Sequence, residues 1–245
     1  MTEVSWHAFY LSELQSVYAL LVVPVAFLAY RLVAPPHHTS GVVPAASRFV
    51  AGLTLLFAFE TMIDPIATGP LLQTTALRSS LAASVIPFLF VYLGDLRVLL
   101  LAKGVAHPDH GLKRNLVWAG AMTLIVPIWA GAGFGLAKWI SPDVHGQVLW
   151  MLYESGFLVL CIGLGRVWVP RHFSSEKATA AYLRTIFGYS AAYYALWFGA
   201  DFLIVVRGLD LGWAIRVIPN QLYYALWVPF VYWRFFSDGA AKADR

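Results

Sequence analysis

Residues 47–68 have the sequence SRFVAGLTLLFAFETMIDPIAT, an apolar run that contains two acidic residues, Glu60 and Asp64. About 20 predominantly apolar residues are enough for a helix to cross the hydrocarbon core of a bilayer. A carboxylate at that depth is costly unless it is paired, protonated or in contact with water. The segment therefore predicts a transmembrane helix that carries part of a polar site.

The composition places the whole chain in the same class. Of 245 residues, 60% are hydrophobic and 12% are charged, and the mean hydropathy is +0.68. A soluble domain carries about 25% charged residues. These values exclude an ordinary soluble domain and predict an all-α, polytopic integral membrane protein. The net charge of +4 does not indicate a nucleic-acid partner, because the basic residues cluster at the ends of the apolar segments.

Seven apolar segments are long enough to span a bilayer, and Pro, His and Ser residues separate them. We expect one domain, residues 1–245, that forms a seven-helix bundle in contact with lipid. The predicted spans are 13–33, 47–68, 80–102, 114–139, 148–169, 180–206 and 217–236.

The distribution of basic residues predicts the orientation of the bundle. The N-terminus and every second loop after it carry only Arg78, Lys138, Arg207 and Arg216, whereas the opposite side carries the other 13 of the 17 Lys and Arg residues. Cytoplasmic loops are enriched in Lys and Arg. We therefore expect the N-terminus outside, the C-terminus in the cytoplasm, and a multi-pass location in the plasma or inner membrane.

Four intramembrane carboxylates are predicted to lie in one outer layer. At a helical rise of about 1.5 Å per residue, Asp64, Glu154 and Asp201 lie roughly 7–9 Å below the outer ends of their spans, and Glu60 about 13 Å below. Further polar residues begin the seventh span at the same level, and aromatic residues accompany the carboxylates on their own helix faces. These companions are Asn220, Gln221, Trp150, Tyr194, Trp197 and Tyr224.

Apolar walls with a few convergent polar groups are typical of a ligand pocket. Two structural interpretations compete with this one. Trp and Tyr are enriched at membrane interfaces in any case, and single carboxylates can hold helices together through hydrogen bonds. The outer arginines, Arg207 and Arg216 among them, could neutralise some of the carboxylates.

Asp95 and Arg97 lie in the inner half of the third span. We expect Arg97 to extend to the cytoplasmic interface and Asp95 to form a structural ion pair at the cytoplasmic end with Arg166 or Arg184 from the fifth and sixth spans. A conformational latch is the alternative interpretation of the same residues.

Cofactor motifs are sparse in the sequence. No predicted span contains histidine, so we expect no haem within the membrane. The seventh span contains no lysine, so we expect no covalently bound retinal. His107-Pro108-Asp109-His110 has metal-ligand side chains but lies in a short loop, and we assign no metal site and no catalytic residue.

The chain contains Leu93-Gly94-Asp95 within one apolar segment and Asp201 within a later one. This arrangement resembles the lysoplasmalogenase-like membrane hydrolases, which use intramembrane aspartates. The resemblance implies a lipid hydrolase acting through these two aspartates. Because the expected depths place Asp95 and Asp201 in opposite halves of the bilayer, the chain is not assigned to that family.

Three hypotheses for the function remain open. The first is a transporter or binding protein that takes a cation, a proton or a small amine-bearing solute at the outer face. The second is a sensory or scaffold bundle that contacts a protein partner at its basic cytoplasmic face. The third is an intramembrane hydrolase that uses Asp and Glu as acid and base, or with a divalent metal. The lack of an internal repeat counts against the first, and the lack of a nucleophile motif counts against the third.

Overall fold

The computed structural model of the protein describes residues 5–34, 44–72 and 80–237, which form helices and short connections without any strand. The helices are α1 (Trp6–Tyr10), α2 (Leu14–Val33), α3 (Pro44–Ile66, continued by Ala67–Leu71), α4 (Ala82–Ala106), α5 (Leu112–Ile140), α6 (Gln147–His172), α7 (Lys177–Arg207) and α8 (Leu211–Asn220, Gln221–Leu226 and Trp227–Ser237). Arg78, which the orientation argument used, lies outside the described residues.

Six of these helices, α2 to α7, are long and apolar enough to cross a membrane. They coincide with the first six predicted spans to within a few residues at most ends. The seventh predicted span, 217–236, is helical and forms most of α8, but α8 is not one of the six. The fold is therefore all-helical with six candidate membrane spans.

In a bundle surrounded by lipid, central helices bury their apolar side chains and outer helices expose them, and the helices of this protein differ in this way. In α4 the run Leu96–Ala102 is buried on every side, which makes α4 the central helix of the bundle. In contrast, α2 and α5 expose large apolar side chains, with Leu32 86% exposed and Ile128 67% exposed. Extended apolar surfaces of this kind are rare on soluble monomers, and they indicate contact with lipid.

Four helices contain a π-helical turn. Such turns are rare and are found frequently at functional sites, because they displace side chains from the regular helical register. Two of them, Leu14–Tyr18 and Ala67–Leu71, face each other across the start of α2 and the end of α3. The others are Leu164–Trp168 and Gln221–Leu226.

The turn between α7 and α8 brings the polar first half of α8 against α7. Gly208 ends α7 with a left-handed φ of 63°, a conformation that glycine adopts without steric cost. Gly212 then lies so close to α7 that a Cβ atom there would be 2.6 Å from the carbonyl oxygen of Ala200. This close approach fixes the position of every side chain on the first half of α8.

Substitution of Gly212 tests this close approach. In Gly212→Ala the new methyl group meets rigid backbone, so we expect α8 to move away from α7 and the free energy of unfolding to fall by about 1–3 kcal/mol. The matched control is Gly199→Ala in α7, where a Cβ atom would have no neighbour within 4 Å. The control should leave stability unchanged or raise it by up to about 1 kcal/mol, because glycine is a poor helix former. Unfolding of both variants in detergent provides the measurement, and equal stability of the two would contradict the packing.

Candidate functional site

One end of the bundle encloses a cavity of about 390 Å³ between α1, α3, α4, α6, α7 and α8, here called the main cavity. Three acidic residues, one arginine, two amides and many aromatic rings line it. Its polar and aromatic lining residues are Tyr10, Asp64, Thr68, Asp95, Gln147, Trp150, Tyr153, Glu154, Tyr194, Trp197, Trp213, Arg216, Asn220, Tyr223 and Tyr224. Three separate stretches of α6, α7 and α8 thus deliver polar side chains to the same space.

Arg216 of α8 joins two carboxylates from neighbouring helices. Its Nη1 lies 3.3 Å from Oε1 of Glu154 in α6 and donates a hydrogen bond to Oδ1 of Asp201 in α7. The amide of Gln147 donates to both oxygens of Asp201, at 3.1 and 2.9 Å. All three charged residues are buried. One guanidinium is therefore shared by two buried carboxylates.

The short helix α1 covers this ion cluster. The hydroxyl of Tyr10 accepts hydrogen bonds from Nε of Arg216 and Nδ2 of Asn220, both at 3.3 Å. Trp197 also donates to Oδ1 of Asn220, at 2.9 Å. At the other end of α1, the carboxylate of Asp210 accepts the backbone N–H groups of residues 6 and 7, at 2.5 and 3.1 Å. These bonds hold α1 against the α7–α8 turn.

Asp95 of α4 lies on the wall of the same cavity and is held by three tyrosines. The hydroxyls of Tyr153 and Tyr194 donate to its two oxygens, and the hydroxyl of Tyr223 donates to Oδ1 at 3.3 Å. The side chain is buried. Its hydrogen-bond partners among the described residues are neutral hydroxyls, so no arginine or lysine contacts it directly.

The second buried arginine, Arg97, lies behind the cavity wall. Its Nη1 is 3.6 Å from Oε2 of Glu60, and its Nη2 donates to the backbone carbonyl of Tyr223 at 2.5 Å. The guanidinium also lies over the rings of Tyr223 and Trp227, 4.4 and 4.8 Å from their centroids. Arg97 is therefore held by Glu60, a carbonyl and two aromatic faces, while its Nε and Nη1 have no hydrogen-bond partner among the described residues.

Asp64 differs from the other carboxylates of the site. Its Oδ1 accepts a hydrogen bond from the hydroxyl of Thr68 at 3.2 Å, and it forms no ion pair within the part of the chain that the structure describes. It lines the main cavity and also a smaller cavity beside it. Asp64 is thus a buried acid on a cavity wall without an arginine partner.

The structure distributes the sequence-predicted residues over three places. Seven of them line the main cavity, namely Asp64, Trp150, Glu154, Tyr194, Trp197, Asn220 and Tyr224. Asp201 contacts it through Arg216 and Gln147, and Glu60 lies behind the wall with Arg97. Gln221 is half-buried outside the lining residues.

The expected ion pair of Asp95 with Arg166 or Arg184 is not among the ion pairs of the described residues. Asp95 is held by tyrosines instead, and Arg97 faces Glu60 within the bundle rather than extending to an interface. Arg166 lines a different cavity, between α6 and α7, together with Arg184. The sequence also separated Asp95 from the other carboxylates, whereas the structure has it on the wall they share.

Sequence reasoning missed several residues of the site. Tyr10 lies before the first predicted span, where hydropathy gives no signal. Gln147 was assigned to a loop. Tyr153 could have been found, because it directly precedes Glu154 in an apolar segment and its hydroxyl needs a partner.

Away from the cavity, the side chains of His107, Asp109 and His110 place one ligand atom each within 4.8 Å of one another. The His107 and His110 rings stack with centroids 4.6 Å apart. Burial, and then the charge of Lys103, lower the pKa of His107. The nearby basic groups oppose a bound cation, and the cluster has no connection to the main cavity.

Comparison with known proteins identifies no relative: no protein-family model matches the chain, and no curated protein or solved structure matches it significantly. The class of the protein is therefore defined by its fold. The six long apolar helices indicate a multi-pass membrane protein.

Substitution of Arg216 tests the ion cluster. In Arg216→Gln two buried carboxylates lose their counter-charge, and we expect the free energy of unfolding to fall by about 3–5 kcal/mol. Arg207→Gln, which removes an exposed arginine from the end of α7, should change stability little. Adding Glu154→Gln to Arg216→Gln should recover part of the loss, because only one carboxylate then stays unpaired. If the single and double variants have equal stability, Glu154 is not part of the cluster.

Proposed function

We propose that the protein is an integral membrane protein that binds a small cation or amine-bearing solute in the main cavity and carries it across the membrane. The observation that supports this most is the excess of acid on an aromatic wall. Asp64, Asp95 and Glu154 line the cavity, while among the described residues Arg216 is the one arginine that lines it.

The charges of the cavity favour a positive ligand. Arg216 is already shared by Glu154 and Asp201, so it has little capacity to attract an anion. Asp64 has no arginine partner among the described residues, and the partners of Asp95 are neutral tyrosines. In a cavity with low-dielectric walls this surplus concentrates cations.

The aromatic walls favour the same class of ligand. Trp150, Tyr194, Trp197 and Tyr224 each line the cavity, and the faces of Trp and Tyr rings attract ammonium groups by about 0.5–2 kcal/mol each. A volume of about 390 Å³ lies in the range of small-molecule sites. These features together suit an organic amine better than a bare proton.

The proposed topology has seven spans, with the main cavity open to the outside. In this proposal α8 is the seventh span, and its first half is less apolar because Arg216 and Asn220 face the cavity. The ratio of 13 to 4 basic residues between the two sides supports an outer N-terminus and a cytoplasmic C-terminus. The surrounding bilayer is then a partner along the exposed faces of α2 and α5.

An intramembrane hydrolase is the second candidate. It is favoured by one observation, that Asp95 and Glu154 line the same cavity and could act as a pair of acid and base on a lipid head group. A sensory bundle with a protein partner at its basic face is the third candidate, and it would use the same ligand site without transport.

The orientation can be tested with a matched pair of serines in a chain whose single cysteine, the buried Cys161, is replaced by alanine. Ser141→Cys and Ser174→Cys place one exposed thiol each in the connections before α6 and after it. In intact cells a membrane-impermeant maleimide should label Ser141→Cys and leave Ser174→Cys unlabelled until the membrane is opened. The reverse pattern would overturn the orientation, and labelling of both in intact cells would overturn α6 as a span.

Ligand class can be tested by binding to the purified protein. A panel of primary amines, quaternary ammonium ions, neutral solutes and carboxylates of matched size should show binding of the cations alone. Glu154→Gln should weaken that binding by about tenfold, because a buried carboxylate facing an ammonium contributes on the order of 1–2 kcal/mol. Trp150→Leu should weaken it by a few fold through the lost ring. Asp143→Asn, in an exposed connection, is the control and should bind as the unaltered protein does.

Liposomes then separate the three candidates. Uptake of the bound amine supports transport, release of fatty acid or head group without uptake supports the hydrolase, and binding without either supports a sensor. Preferential binding of neutral or anionic solutes would overturn all proposals based on the acidic cavity.

A further inference from the structure

A second, smaller cavity of about 260 Å³ adjoins the main cavity between α1, α2, α3 and α8, here called the side cavity. The two cavities share a wall made of Tyr10, Asp64, Thr68, Asn220 and Tyr224. Asp64 is the carboxylate common to both. An ion that enters the side cavity therefore changes the electrostatic potential in the main cavity.

The side cavity contains a buried amide that nothing in the described residues satisfies. Gln15 of α2 lines the cavity and is 2% exposed, and neither its Oε1 nor its Nε2 has a hydrogen-bond partner there. A buried polar group without a partner costs about 1–3 kcal/mol, and such groups are rare enough to need an explanation. Asp64, a buried carboxylate that forms no ion pair within the described residues, lines the same cavity.

The backbone on both sides of the side cavity departs from regular helix. Gln15 belongs to the π-helical turn Leu14–Tyr18 at the start of α2. Opposite it, α3 contains Pro65 and ends in a π-helical turn in which Gly69 is non-helical, with φ −94° and ψ −105°. Interrupted helices at such depth are tolerated where they line a cavity, and in transporters they often form cation sites.

We propose that the side cavity binds a sodium ion through the carboxylate of Asp64, the amide oxygen of Gln15 and the hydroxyl of Thr68. These are oxygen ligands, which hard cations prefer. The Thr68 hydroxyl directs its proton at the backbone carbonyl of Asp64, 2.8 Å away, and at Oδ1 of the same residue, 3.2 Å away, so its lone pairs stay available. The ion supplies the positive charge and the amide-oxygen partner that Asp64 and Gln15 do not find among the described residues.

This inference rests on the proposed function, because it makes sodium the ion that is coupled to solute binding. Sodium in the side cavity neutralises Asp64 and orders the shared wall, including Tyr10 and Tyr224. Solute in the main cavity then meets a preorganised site. By linkage the effect is reciprocal, so solute must raise the affinity for sodium by the same factor.

Thermal unfolding of the purified protein without solute provides the first test. At constant ionic strength, replacing potassium chloride by sodium chloride should raise the midpoint of unfolding in a saturable way, since a ligand that binds only the folded state stabilises it. An equal effect of the two salts overturns the proposal and assigns the Gln15 amide to ordered water.

Two variants locate the effect. Asp64→Asn should weaken the apparent affinity for sodium at least tenfold, about 1.4 kcal/mol. Gln15→Leu should also lose the sodium-specific shift, although removal of an unsatisfied amide should raise the midpoint in potassium. A sodium shift that persists in Gln15→Leu would show that the ion binds elsewhere. Asp143→Asn serves as the control for loss of one negative charge and should retain the full shift.

Solute binding separates this inference from the proposed function. If the cation panel binds equally in sodium and potassium, the main cavity works without the ion and the sodium site is wrong. If sodium stabilises the protein through Asp64 and Gln15 but no amine binds, the sodium site stands and the proposed function is wrong.

Discussion

The position of the whole site depends on the buried contact between Arg216 and the carboxylates of Glu154 and Asp201. Removing charges from water is expensive, and their mutual attraction offsets that cost only in good geometry. The geometry here requires α8 to approach α7 closely, which the left-handed Gly208 and the absent side chain of Gly212 permit. The same arginine also holds Tyr10, so the closure of the cavity by α1 follows from the ion cluster.

The two buried arginines divide the charges of the bundle into layers. Arg216 is shared by Glu154 and Asp201, and Arg97 faces Glu60 deeper in the bundle. Between them, Asp95 receives only tyrosine hydroxyls. Hydroxyl donors satisfy the lone pairs of a carboxylate without neutralising it. The acidic side chain of Asp95 therefore lies on the cavity wall without a direct counter-charge, while both arginines are held in contacts to other groups.

Hydropathy predicted the long helices well, because the exposed faces of α2 and α5 must be apolar for any arrangement of the bundle. The sequence also shows the carboxylates within the apolar segments, and two of the four predicted as one layer, Asp64 and Glu154, line the main cavity. Periodicity could not predict which arginine faces which acid, since that depends on how helices far apart in sequence pack. Tyr10 and Gln147 belong to short elements with no apolar signal, and only the folded chain brings them to the site.

Asp95 shows why a depth estimate for single helices gives an incomplete description of a site. Tyr194 precedes Asp201 by two helical turns, about 10 Å along α7, and it is Tyr194 that reaches Asp95. Asp95 therefore does lie deeper in the bundle than Asp201, as the sequence predicts. The main cavity nevertheless extends along the helix axes far enough for Asp95 and Glu154 to line it together. The site is therefore one continuous cavity with charged side chains at several depths, and a layer of residues at equal depth does not describe it.

The wall shared by the two cavities provides a physical basis for coupling between the proposed binding of sodium in the side cavity and of solute in the main cavity. Asp64 contributes one negative charge to both spaces, so a cation on one side lowers the electrostatic attraction on the other. Ordering of the shared wall acts in the opposite direction. When one ligand orders the side chains of Tyr10, Asn220 and Tyr224, binding of the second ligand costs less conformational entropy. Which effect dominates depends on whether Asp64 is the main counter-charge of the main cavity. Asp95 and Glu154 supply further negative charge there, so occupation of the side cavity leaves the main cavity attractive to a cation and more ordered.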